Sequence, residues 1–265
     1  MDRLFFLQLS LSFVVGSAFV TFCTVAAEKS SSKVGGLIGG LPSTVVVALL
    51  FIGLVQTPEL ASQATDVVPL VVGFNGLFLV AFALLASYGL WIGLGGALSI
   101  WFLLSILTVT LKVSHFGFAI AIFLLLLFFS YYLLEKRLRL PTVKGTNVRF
   151  TLLQIVSRAL FSGLMITTAI YLSKMSGPLI GGVFAVFPAV FLSTLIISSR
   201  SRGVEFSRVL TKPLLVSGMI NVVTYAIAVR YLYPVLGLAL GTLLALAISG
   251  LSASATHVFI KTRMT

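Results

Sequence analysis

Apolar runs broken only by short polar stretches fill this chain from end to end. A helix rising 1.5 Å per residue needs about 20 residues to cross a hydrocarbon core of about 30 Å, and the runs are of that length. The pattern predicts nine helices, at 4–26, 35–55, 67–87, 90–110, 117–134, 150–173, 178–199, 211–231 and 234–255. Spanning strands would alternate apolar and polar residues, whereas these runs are apolar on every side. The expected fold class is therefore an all-α polytopic membrane protein. Pro58, Pro69, Pro141, Pro178, Pro213 and Pro234 fall near the expected ends, where a missing N–H is tolerated. Pro42 and Pro188 fall inside spans.

The polar positions carry a second pattern. Displacing the chain by 146 residues, without a gap, lays Gln8 on Gln154, Gly35 and Gly36 on Gly181 and Gly182, Pro42 on Pro188, Glu59 on Glu205, Thr65 on Thr211, Asn75 on Asn221 and Gly95 on Gly241. Gln, Pro, Glu and Asn are scarce here, so their agreement in one register points to duplication. Residues 1–111 then form a first repeat of four helices and 150–265 a second. Residues 112–149 hold an unpaired fifth helix and a basic loop. Four crossings return a chain to its starting side, and the extra crossing inserts the second repeat upside down. Inverted repeats of this kind are characteristic of carriers.

Composition agrees with the membrane reading. Of 265 residues 59% are hydrophobic and 9% charged, with a mean hydropathy of +1.16. That excludes an ordinary water-facing surface. The net charge of +12 does not indicate nucleic acid, because the cations lie in loops rather than on the face of a folded reading domain. Cationic loops stay on the cytoplasmic side. If the loop holding Lys136, Arg137, Arg139, Lys144 and Arg149 is cytoplasmic, then so are Lys29, Lys33, Arg200, Arg202, Arg208, Lys212, Lys261 and Arg263. Arg3, Lys112, Lys174 and Arg230 fall outside, and Arg158 lies within a span. The N-terminus is expected outside and the C-terminus inside a cell membrane. Residues 4–27 end in small residues, as a cleavable leader does, yet the run exceeds the 7 to 15 residues of a leader core and is read as a retained helix.

Several residues are candidates for function. Pro42 and Pro188 each follow a glycine pair, Gly35–Gly36 and Gly181–Gly182, and each would break its helix, either as a hinge exposing backbone groups or as a plain kink. Asn75 and Asn221 are expected at mid-span, where a carboxamide either contacts cargo, with Thr224 and Tyr225 beside the second, or bonds a neighbouring helix. Arg158 would face an anionic substrate or headgroup, or else snorkel to the cytoplasmic surface. Glu59 and Glu205 are either a gating pair, one per face, or acids at capped helix starts. Gln8 and Gln154 read as packing bonds. Trp91, Tyr131, Tyr132, Tyr231 and Tyr233 fall where interfacial anchors do.

No cofactor, metal or enzymatic chemistry is expected. Cys23 is the only cysteine, His115 and His257 have no ligand neighbours, and no Walker loop or nucleophile elbow occurs. The stretch Ser176 to Ser199, with Gly-Pro-Leu-Ile-Gly-Gly-Val-Phe-Ala-Val-Phe-Pro, resembles the GlpM-like family of small inner-membrane proteins. That resemblance, over about residues 176–250, implies membership of a membrane family with one member associated with polysaccharide export. The first half departs from it, with Leu41-Pro42 where the family has Phe-Pro. Two functions follow: a carrier for a small solute or lipid headgroup, working by alternating access, or a non-enzymatic accessory protein of envelope or polysaccharide biogenesis. The partners expected are the lipid bilayer and a small-molecule or lipid cargo, anionic if Arg158 contacts it.

Overall fold

The structure, a computed structural model, describes residues 3–29, 41–138, 140 and 150–263. Gly35, Gly36, the first part of the helix expected at 35–55 and most of the basic loop at 139–149 lie outside the described residues. Among the described residues ten α-helices follow one another: α1 (Arg3–Lys29), α2 (Ser43–Val55), α3 (Pro58–Ala64), α4 (Val68–Leu85), α5 (Leu90–Thr110), α6 (Phe116–Tyr132), α7 (Leu152–Ser176), α8 (Pro178–Ala185), α9 (Ala189–Arg202) and α10 (Val204–Arg263). A 3-10 turn, Ala86–Tyr88, extends α4, and a π-helical turn, Leu133–Arg137, extends α6. Among the described residues there are no strands. Among the described residues seven helical segments are long and apolar enough to cross a membrane, and the outer surface is rich in large apolar side chains such as Phe6, Leu103, Phe128, Leu153 and Leu243. Such a surface suits lipid rather than water. The chain is a membrane-embedded helical protein.

The boundaries differ from the sequence expectation in several places, with α10 starting at Val204 and ending at Arg263 rather than 211 and 255, and three differences have a local cause. The span at 178–199 is two helices, because Pro188 has no N–H to continue the ladder. Thr57 caps α3, its side chain accepting from Leu60 N at 3.2 Å, and the helix ends after seven residues. The break expected at 232–233 is absent. Helix α10 runs through Pro213 and Pro234 and is interrupted at Gly237, whose φ of 70° and ψ of −175° are readily reached only without a Cβ. Pairing of Tyr233 with Thr242 and of Thr224 with Ser252 makes the two arms of α10 antiparallel.

Two further antiparallel contacts organise the core. Along α1 the buried stripe Phe5, Leu9, Ser12, Gly16, Val20 and Cys23 has helical spacing and meets α7 in descending order. Phe5 stacks on Tyr171, Ser12 Oγ lies 3.4 Å from Thr167 Oγ1, and Ser17 Oγ donates to Ala159 O at 3.1 Å. Helix α4, buried on nearly every side, meets the first arm of α10 in the same sense. Ser62, in the preceding α3, donates to Arg230 O at 2.8 Å, Gly76 lies against Met219, and Arg208 Nε donates to Ala83 O at 2.7 Å.

Gln154 does not bond another helix, as the sequence suggested. It closes a capping box with Thr151: Thr151 N donates to Gln154 Oε1 at 2.9 Å, and Gln154 N to Thr151 Oγ1 at 3.4 Å. Satisfying two orphan donors at the start of α7 makes Thr151→Ala cost about 1 kcal/mol. A lowered thermal midpoint in detergent, with Leu152→Ala as a neighbouring exposed control, is the expected outcome.

Candidate functional site

Pro42 and Pro188 do not sit inside continuous helices. Each is the residue immediately before one, α2 and α9 respectively. Their backbones are alike: φ −78°, ψ 59° at Pro42 and φ −74°, ψ 39° at Pro188. Ser43 N donates to Leu41 O at 2.8 Å, and Ala189 N to Phe187 O at 2.7 Å. Both are close to inverse γ-turns, which turn the chain using an i to i+2 bond. Behind the second turn, α8 lies tight against the other half of the protein. A Cβ on Gly182 would strike the Ala64 carbonyl oxygen, and one on Gly181 would strike the Ser173 side chain.

Asn75 belongs to this break. Its Nδ2 donates to Val186 O at 3.0 Å, the carbonyl that follows the last residue of α8. A backbone group in an apolar interior needs such a partner. Asn75 is buried, and its Oδ1 has no hydrogen-bond partner among the described residues. Around it the Phe187 ring packs edge-on against Trp101, and also against Phe161. Trp101 is fully buried, and its Nε1 has no hydrogen-bond partner among the described residues.

Asn221 has different company. Its Oδ1 accepts from Ser252 Oγ at 2.9 Å and Thr256 Oγ1 at 3.3 Å, while its backbone oxygen accepts from Ser249 Oγ at 3.1 Å. Thr224 donates to Ser252 at 3.3 Å. The cluster joins the two arms of α10. Tyr225 reaches Tyr233 rather than a site near Asn221, and Tyr233 in turn reaches Thr242 at 2.8 Å. Tyr233 is fully buried, so it is no interfacial anchor, whereas Tyr231, Tyr132 and Trp91 are exposed as anchors are.

Arg158 is half-buried on α7. Its Nη1 donates to Thr194 Oγ1 on α9 at 3.0 Å, and its guanidinium lies 5.4 Å from the Phe150 ring, just ahead of the helix start. The partner is neutral, and Nε is buried without a hydrogen bond among the described residues. The contact with Phe150 shows the side chain leaning toward the loop end of α7. The three expected cargo contacts engage three separate partners.

Glu59 is exposed in the first turn of α3. Glu205 is also exposed and pairs with Arg208 one turn on, at 2.7 and 2.8 Å. Both fit the capped-start alternative. The ion pairs that join different elements lie one or two turns deeper. Asp66, between α3 and α4, pairs with Arg230 of α10, whose guanidinium also covers the Phe116 ring at 4.3 Å. Lys212 of α10, itself buried, pairs with Glu135 beyond α6 at 2.5 Å. The sequence uses Lys212 and Arg230 only for orientation and gives Asp66 and Glu135 no functional role. A signal was available, since Asp66 and Lys212 stand 146 residues apart.

Among the described residues no cluster of His, Cys, Asp and Glu could hold a metal. No family model, curated protein or solved structure matches the chain.

Proposed function

We propose that the chain is a carrier moving a small solute or lipid headgroup by alternating access. It would comprise two inverted four-helix repeats, 1–111 and 150–265, joined by the linker helix and basic loop of 112–149. The observation carrying this reading is that helices 146 residues apart meet each other antiparallel. Helix α1 descends against α7, and α4 against the first arm of α10. Contacts exchange accordingly: Ser17 touches Ala159, while Gly163, 146 residues beyond Ser17, touches the Phe13 carbonyl, 146 residues before Ala159. The exchange reflects a two-fold relation, and its antiparallel sense comes from the descending series Phe5–Tyr171, Ser12–Thr167 and Ser17–Ala159. The like turns at Pro42 and Pro188 support the same register.

With α10 counted as two crossings and α2 as the end of one, nine crossings put the N-terminus outside and the C-terminus in the cytoplasm. Arg158 then lies in the cytoplasmic half. Among the described residues the Arg158 guanidinium meets a hydroxyl and an aromatic ring and no acid, so an anionic solute or headgroup is the preferred cargo. No enzymatic step is assigned. The turns at Pro42 and Pro188 would be the points of rearrangement, with Asn75 and Asn221 nearby at mid-depth.

The accessory-protein reading is favoured by one fact: Asn75 and Asn221 bond to protein groups already present. Cysteine accessibility separates the two. In a Cys23→Ser chain, Thr44→Cys and Val190→Cys, equivalent in the repeat, react with a membrane-impermeant thiol reagent from either side if the carrier reading holds. Reaction from one fixed side, or from neither, favours the accessory role.

A further inference from the structure

Asp66 and Lys212 occupy the same position of the two halves, yet carry opposite charges. Each makes an ion pair with another element, Asp66 with Arg230 and Lys212 with Glu135. In a chain with 9% charged residues, ion pairs at matching positions of both halves call for a reason beyond orientation. The exchange that relates the other contacts would put Lys212 against Leu84, where no acid exists. The acid comes instead from the turn beyond α6, the helix that has no copy. The second pair is thus built from different parts at an equivalent site.

Their positions along α10 give the geometry. Lys212 and Arg230 are 18 residues apart on one arm, whose only non-helical residue, Gly237, lies beyond both. At 1.5 Å per residue they are about 27 Å apart, close to the thickness of a hydrocarbon core. Asn221 lies nine residues from each. Asn75 likewise lies nine residues after Asp66. One ion pair therefore closes each end of the contact between α4 and α10, with the two carboxamides at its centre. Lys212 is 6% and Asp66 19% exposed at the side chain while their partners Glu135 and Arg230 are 37% and 28% exposed, so parting a pair leaves its more buried member to be hydrated.

Building on the carrier reading above, we propose that Asp66–Arg230 and Lys212–Glu135 are the two gates, each parting while the other stays closed. Glu59 and Glu205, the gates suggested by sequence, sit seven residues earlier in each half and remain in the solvent-facing first turns. Because one rigid arm carries a member of both pairs, tilting α10 away from α4 at one end presses it inward at the other.

The test uses the full chain in sealed vesicles, with Cys23→Ser and the Thr44→Cys or Val190→Cys reporter. Asp66→Asn is expected to raise the ratio of labelling from the Asp66 side to labelling from the Lys212 side by about tenfold, and Lys212→Gln to lower it by a similar factor. The exchange Asp66→Arg with Arg230→Asp should restore the parent ratio. Ratios unchanged in both variants, or shifted in the same direction, would overturn the gates. If the parent reporters still react from both sides in that case, the carrier reading survives alone; if they do not, both fall. A variant that loses its fold is recognised by its thermal midpoint in detergent, and the charge exchange then decides, since failure to recover the parent ratio counts against the gates.

Discussion

Replacing Gly182 by valine is expected to destabilise the protein by about 3 kcal/mol, the upper part of the range for overpacking a close-packed interior. The cause is specific. A Cβ at this position would overlap the carbonyl oxygen of Ala64 and approach Val67 Cγ1 to 2.8 Å. A carbonyl that ends a helix cannot turn aside as a flexible side chain can, so α8 must move away from α3. Unfolding in detergent followed by circular dichroism measures this. Gly95→Ala is the control, because nothing lies within 4 Å of its added Cβ and the change should remain within about 0.5 kcal/mol. Equal midpoints for Gly182→Val and the parent would show that the close approach of α8 is not needed for stability.

Loss of the Asn75 amide is the second large effect. Asn75→Leu and Asn75→Asp are both expected to cost about 2 kcal/mol, since either leaves the Val186 carbonyl without its donor. Leucine shares asparagine's branching and number of side-chain heavy atoms and is better suited to an apolar interior, so a purely steric role predicts little loss of stability. Aspartate keeps the shape and removes the donor. Similar losses in both variants identify the hydrogen bond as the cause, and an unchanged leucine variant would refute it. Thr44→Cys labelling in each variant would report whether the turn at Pro188 has shifted with it.

The helical class and most spans are legible in the sequence because lipid requires the backbone to satisfy its own hydrogen bonds, leaving long apolar runs few alternatives. The linear pattern is silent on which prolines interrupt a helix. Pro188 breaks one and Pro213 does not, although both lie in apolar surroundings, because the outcome depends on what receives the carbonyl freed nearby. At Pro188 that receiver is Asn75, 111 residues earlier, beyond the reach of local reasoning. The same holds for the candidate site. Arg158, Asn75 and Asn221 are recognisable as costly at membrane depth, but their partners Thr194, Val186 and Ser252 are ordinary residues whose importance arises only from packing. Asp66 and Lys212 were overlooked for another reason: the repeat was traced through identities, and this pair keeps its position while reversing its sign.

The seam between α1 and α7 bears on biosynthesis. Ser12, Gly16 and Ser17 of the first helix meet groups that the ribosome adds more than a hundred residues later. At about 5–20 residues per second, α1 waits on the order of ten seconds in the bilayer before Ala159 and Thr167 emerge. During that interval its hydroxyl-bearing stripe has no permanent neighbour in α7. A nascent chain halted before residue 150 should accordingly stay bound to the insertion machinery, releasing the first helix only once its later twin has been made.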